Sequence, residues 1–298
     1  MKINNDAIPK PIVKAAKPSE PKEVVAKEAT STSANKVTSN TQQHIQTWFA
    51  KAGISPTMTM SDAKGRHQSI ERRRQIQASH KIGNLQSILT MAMSVSVQEQ
   101  PADNLDPDWF FTFIDMAENV YSPAMQELWG KIFAVEVGRP GSFSIRTLET
   151  LKALTQKDAK LFTKASSLAS RRQTDAIPKI IVGYHQRKGF LSLLRPPGFT
   201  QLNLSKYGLS YPDILALIDM KLIYASEIES AELDPSKRSL WKCGSSNFNL
   251  SAKRQGIALV YYKFTSVGAE LFRLSSKSTP AEYLEGLKQT LEPAFHID

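Results

Sequence analysis

Cysteine is almost missing from this chain. Cys243 stands alone among 298 residues, so neither an intrachain disulfide nor a cysteine-rich metal site can form, which fits a reducing compartment. Long apolar runs are also missing. The most apolar helical stretch, Ile82 to Val97, is interrupted by Asn84, Gln86, Ser87 and Ser94 and falls short of the roughly 20 residues a bilayer span needs. No membrane span is expected. The start, MKINNDAIPKP, has no apolar run of signal-peptide length, so a cytoplasmic location is expected.

Catalytic signatures are equally scarce. The sequence holds no G-x-x-x-x-G-K-[ST] and no G-x-G-x-x-G, hence no known form of nucleotide cradle. The five histidines, His44, His67, His80, His185 and His296, lie far apart, without H-E-x-x-H or Glu-x-x-His spacing. Gly141-Ser142-Phe143-Ser144 lacks the second glycine of a nucleophile elbow, and a helix start explains its serines. Asp108, Asp158 and Lys160 can be gathered into a nuclease-like set, but both acids suit helix starts. No cofactor, metal or catalytic residue is assigned, and a non-enzyme is expected.

What the chain does have is charge, unevenly spread. Its net charge is +10, yet residues 1–40 carry +3, residues 41–98 carry +5 and residues 99–150 carry −6. Such segregation suits a complementary protein partner or self-association as well as a phosphate backbone.

From Lys10 to Gln43 there is no aromatic residue and no sustained apolar period, so a disordered basic tail is expected over residues 1–40. A short helix around His44–Ala52, closed by Gly53, leads to a long helix from about Lys64 to Val97. Ala78, Ile82, Leu85, Leu89 and Ala92 form its apolar stripe. Its first half holds Lys64, Arg66, Arg72, Arg73, Arg74 and Lys81 against a single acid, Glu71. Three consecutive arginines fan over roughly 200° of a helix, so one can face an anion. They can equally sit in solvent, or pair with acids of the middle segment such as Glu118 and Glu127.

The middle is rich in helix punctuation. Asp106 suits an N-cap, Pro107 the first helical position and Asp108 the positive end of the dipole. Trp109, Phe110, Phe113, Ile114 and Ala117 then supply a buried face. Ser122-Pro123 starts a helix carrying Trp129, and Ser144 opens another with Leu148 and Leu151. Thr155-Gln156-Lys157-Asp158 reads as a capping box for a fourth. Trp129 and its neighbouring phenylalanines have core spacing, in preference to a ligand-stacking box.

At these residues the chain becomes recognisable. The run DPDWFFTFIDMAENVYSPAMQELWGKIFAVEVGRPGSFSIRTLETLKALTQKDAKLF, with MQELWGKI…PGSFSIRTLE as its most specific part, resembles an uncharacterised proteobacterial protein family, a domain of unknown function. The similarity extends to RRRQIQASHKIGNLQSIL upstream and FTSVGAELF downstream. The resemblance implies no established activity, substrate or catalytic residue.

The last third changes character. Ser210 and Asp213 suit the start of a helix through Ile218, followed by strand-like Lys221–Tyr224 and, after a polar stretch, by β-forming residues from Gly256 to Phe264. Thr265 suits a cap for a helix through Leu274, and Pro280–Leu291 reads as a last one. Helix, strand, hairpin, strand and helix suggest a winged helix. Its recognition helix, however, holds Asp213 and Asp219 and no basic residue, which opposes major-groove reading.

The expected fold is mainly α with a small α+β part: a disordered tail over residues 1–40, a basic helical segment over 41–100, a helical core domain over 101–172 and a winged-helix-like domain over 173–298. The expected function is that of a non-enzymatic interaction or regulatory protein with a protein partner or self-association; sequence-tolerant nucleic-acid binding is the alternative. Candidate anion or partner contacts are Arg66, Arg72, Arg73, Arg74 and Lys81 on the long helix, Arg171 and Arg172, and Lys237, Arg238, Lys253 and Arg254 near the hairpin, where Lys242 also lies.

Overall fold

The computed structural model describes residues 31–58, 60–95, 105–175, 177–187, 199–275 and 278–298. The chain divides into two compact units, residues 1–77 and 78–298.

In the first unit, α1 (Ser31–Lys51) ends in a turn at Gly53, whose φ of +76° favours glycine. Asp62 then accepts from the backbone N–H of Gly65 at 3.1 Å and starts α2 (Ala63–Ser94). The tail expected over residues 1–40 lies outside the described residues as far as residue 30. From Ser31 onward the backbone is helical. No glycine or proline interrupts the chain between Lys22 and Ala52, so nothing local stops the helix.

The second unit begins with the rest of α2, followed by α3 (Pro107–Ala117), α4 (Pro123–Gly138), α5 (Ile145–Ala153) and α6 (Gln156–Ser167). The punctuation works as the sequence suggests. Asp106 accepts from Asp108 N and Trp109 N, and Thr155 and Asp158 exchange backbone bonds in a capping box. Trp109, Phe113, Trp129, Leu148, Leu151 and Phe162 are buried in one core. The Trp109 Nε1 donates to the Phe143 carbonyl at 2.7 Å, tying α3 to the loop before α5. A Cβ added at Gly130 would lie 2.7 Å from the Met91 Cβ and 2.9 Å from the Ile88 carbonyl oxygen. The backbones of α4 and α2 therefore touch there.

An eight-stranded antiparallel sheet follows: β1 (Ser170–Arg172), β2 (Lys179–Gln186), β3 (Phe199–Gln201), β4 (Ile228–Glu229), β5 (Ser239–Cys243), β6 (Ser246–Ala252), β7 (Ile257–Lys263) and β8 (Phe295–Ile297). Its order is β4-β7-β2-β1-β5-β6-β8, with β3 also on β2. Lys179 to Tyr184 of β2 are buried on both faces, which explains the near-continuous apolar run of that strand. The remaining helices are α7 (Tyr211–Asp219), α8 (Ser266–Phe272) and α9 (Ala281–Leu291), the last packing on β2. Helices and sheet share a single buried cluster from Ile88 to Phe295.

This architecture overturns the expected mainly helical fold with a terminal winged helix. In such a motif the strand after the hairpin would complete a small sheet beside it. Here β7 pairs with β2 and β4, whereas the β5–β6 hairpin is flanked by β1 and β8. Lys221–Tyr224, expected as a strand, contributes only the isolated bridge of Ile223 to Phe264.

Candidate functional site

Within each unit the candidate cations are spread over separate elements or engaged singly. Arg72, Arg73 and Arg74 are exposed on α2 and form no ion pair among the described residues. Arg66 donates to the Met60 carbonyl at 3.4 Å. Lys81 pairs with Glu118, and Glu127 with Lys131 at 2.6 Å, so both acids suggested as partners for the arginine run are engaged locally. The Lys81 ammonium is raised above its ordinary range by its bond to Glu118.

Around the hairpin the cations separate further. Lys237 approaches Asp234 at 3.8 Å, Arg238 approaches Asp298 at 3.7 Å, and Arg254 donates to Gln186 at 2.5 Å. Arg172 and Lys237 line a cleft of about 270 Å³ that also carries Glu232 and Asp234. Lys253 lines another of about 320 Å³, with Lys288, Glu285 and Glu292.

Arg171 is placed differently. It sits directly across from Lys242, which sits directly across from Asn247, so one cross-strand row spans β1, β5 and β6. All three are exposed, and all line a cavity of about 560 Å³ with Gln173, Thr174, Asp175, Leu240 and Trp241. Neither Arg171 nor Lys242 has an ion-pair partner among the described residues. Asp175 is engaged by the buried Lys179 and accepts from Ile177 N at 3.0 Å. Burial pushes its carboxyl up, but the Lys179 and Ile177 bonds prevail and hold it below the ordinary range. Asn247 was not legible as a site residue. Alternation in SLWKC and SNFNLSA was the available signal, hidden because neither segment reads as strongly strand-forming.

A second feature is apolar. On α2 the core face is formed by Asn84, Ile88 and Ala92, with Lys81 and Leu85 half-buried beside them. Ile82 and Leu89, expected in the buried stripe, are instead 59% and 54% exposed, and Met93 is 79% exposed. With about 100° per residue, Ala78, Ile82, Leu89 and Met93 fall within an arc of about 60°. That strip adjoins the core face and is left uncovered.

Other sequence candidates resolve into structure. Trp129 is fully buried, its ring centroid 5.2 Å from that of Phe113. Asp158 serves its capping box. Asp213 of α7 accepts from Ser210 N at 2.9 Å and Ser210 Oγ at 2.6 Å. Among the described residues no three His, Cys, Asp or Glu side chains are grouped to hold a metal ion, and no helix is long and apolar enough to cross a membrane.

Residues 68–288 match the family model described as "Protein of unknown function (DUF2806)". The chain belongs to this family. The matched span contains the MQELWGKI…PGSFSIRTLE core, both candidate surfaces of the second unit and most of the sheet. No curated protein and no solved structure matches the chain.

Proposed function

We propose that this chain is a non-enzymatic cytoplasmic interaction protein that self-associates through the uncovered strip of α2. One observation carries the reading: the strip is its own mirror. Ala78 and Met93 are equidistant from the midpoint between Leu85 and Gln86, and so are Ile82 and Leu89. Two copies of the strip laid antiparallel put small Ala78 against long Met93 and Ile82 against Leu89, the isologous arrangement of a two-fold dimer. The charge segregation of the sequence supports attraction between unlike segments of two copies.

Four side chains per copy fall short of the roughly 1,200 Å² that stable interfaces bury, so the dimer is expected to be concentration-dependent. Sedimentation of the full chain over a hundred-fold dilution series tests this. The parent should pass from dimer to monomer, and Ile82→Glu with Leu89→Glu should stay monomeric at all concentrations while remaining folded. A parent that stays monomeric throughout defeats the reading.

The unpaired Arg72, Arg73 and Arg74 favour a second reading for the basic half of α2, sequence-tolerant binding to a nucleic-acid backbone. Each phosphate contact steepens log affinity against log salt by roughly 0.7 to 0.9. Replacing all three arginines by glutamine should then flatten the salt slope for an oligonucleotide by about 2 units. An unchanged slope removes this reading and leaves the first untouched.

A further inference from the structure

We infer that the Arg171–Lys242–Asn247 row is a binding site for the phosphate group of a small molecule, such as a phosphomonoester or a diphosphate. The sheet places two cations side by side in register, one on β1 and one on β5. Like charges directly opposite one another on a sheet face are destabilising. Ion pairing relieves such a cost where Lys179 stands opposite Lys263, since Asp175 engages Lys179, but no acid does so for Arg171 and Lys242 among the described residues. An anion seated between the two side chains would turn the repulsion into a clamp.

The surroundings supply donors. The Arg171 guanidinium, the Lys242 ammonium, the amides of Asn247 and Gln173 and the Thr174 hydroxyl line the same cavity. The acid in its wall, Asp175, is neutralised by Lys179. Leu240 and the buried Trp241 floor the cavity beside the row, where a lower local polarity strengthens charge-assisted bonds.

The ligand is a small molecule because Arg171 and Lys242 are the two cations among the residues that line this cavity. A polymer backbone needs a track of cations, and of those near the same hairpin Lys237, Arg238 and Arg254 are engaged by other side chains. Among the described residues no aromatic face lines the exposed row for base stacking, since Trp241 is only 4% exposed.

Calorimetric titration of the full chain with pyrophosphate tests the site, with Arg171→Gln, Lys242→Gln and, as control, Lys253→Gln. The parent should bind saturably with one site. Each row variant should lose about ten-fold or more in affinity, as expected for one charge-assisted bond, and the control should stay within about two-fold. Without ligand, Lys242→Gln should melt no lower than the parent, because repulsion is relieved. Absence of saturable binding in the parent, or an equal loss in Lys253→Gln, overturns the site. Should a single-stranded oligonucleotide gain affinity with length and lose it in Lys242→Gln, the site belongs to a polymer and the small-molecule assignment is overturned.

Discussion

Glu270 on α8 caps a helix that begins 126 residues earlier in the chain: its carboxylate accepts from Ser144 N at 2.7 Å, and from Thr147 Oγ1 at 2.6 Å. Arg273, one turn on, donates to the Ser142 carbonyl at 3.0 Å. Together they fasten the start of α5 to the helix that follows β7. Hydrogen bonds to a charged acceptor contribute about 1.5–3 kcal/mol each. Glu270→Ala should therefore destabilise by roughly 2–4 kcal/mol in urea unfolding, since the bonds from exposed Ser144 and from buried Thr147 are all lost. A loss under about 0.5 kcal/mol would mean the bonds are replaced by water at no cost.

Trp129 offers a separable test of packing and polarity. Its ring is fully buried, and its Nε1 has no acceptor among the described residues. Trp129→Ala should cost about 3–5 kcal/mol as a core truncation. Trp129→Phe should cost much less, because it keeps most of the contact while removing a buried donor that is worth about 1–3 kcal/mol unsatisfied. Equal losses in the two variants would sink this account.

Gly130 allows α4 to approach α2. The Cβ in Gly130→Ala would meet backbone atoms of Ile88 and Ala92 at 2.9 Å, which cannot rotate away. The variant should lose about 1–3 kcal/mol, as overpacked interiors do. Hydrogen exchange should rise first over Ile88–Ala92. Full stability with unchanged exchange would contradict the close approach.

Acid stability should depend on the two carboxylates at helix starts. The Asp213 carboxyl is lowered by the Ser210 hydroxyl and then by the Ser210 backbone N–H, and Asp158 likewise by Thr155. A depressed carboxyl contributes stability above its unfolded value near 4 and loses it as pH falls through the folded value. Asp213→Asn should therefore be less stable than the parent at neutral pH by about 1 kcal/mol, and the two should converge as pH falls below the ordinary carboxylate range. Curves that run parallel across that range would show that the charge is irrelevant.

Much of this fold is written locally. Asp106-Pro107, Thr155-Gln156-Lys157-Asp158 and Thr265 each mark a helix start, because a cap is satisfied by backbone groups two or three residues away. The family core reads as directly, lying in a single unbroken run of sequence. A hairpin is expected in the polar stretch, but the bounds and outer pairing of its strands Ser239–Cys243 and Ser246–Ala252 are not legible, since only one of their faces is buried and their partners β1 and β8 come from distant segments. The strip on α2 shows the same limit. Periodicity marks Ile82 and Leu89 as apolar positions, but a stripe broader than its partner cannot tell which edge will be covered.

Local sequence alone fixes where the capped helices α3, α6 and α8 begin, that no intrachain cysteine bridge forms and to which family the chain belongs, because those depend on composition or on neighbours a few residues apart. Tertiary structure alone decided that the chain forms an eight-stranded sheet, that Arg171 stands beside Lys242 and that Ile82, Leu89 and Met93 face outward. Strand pairing and face selection are settled by contacts between segments many residues apart, where register, not local propensity, fixes which side chains meet.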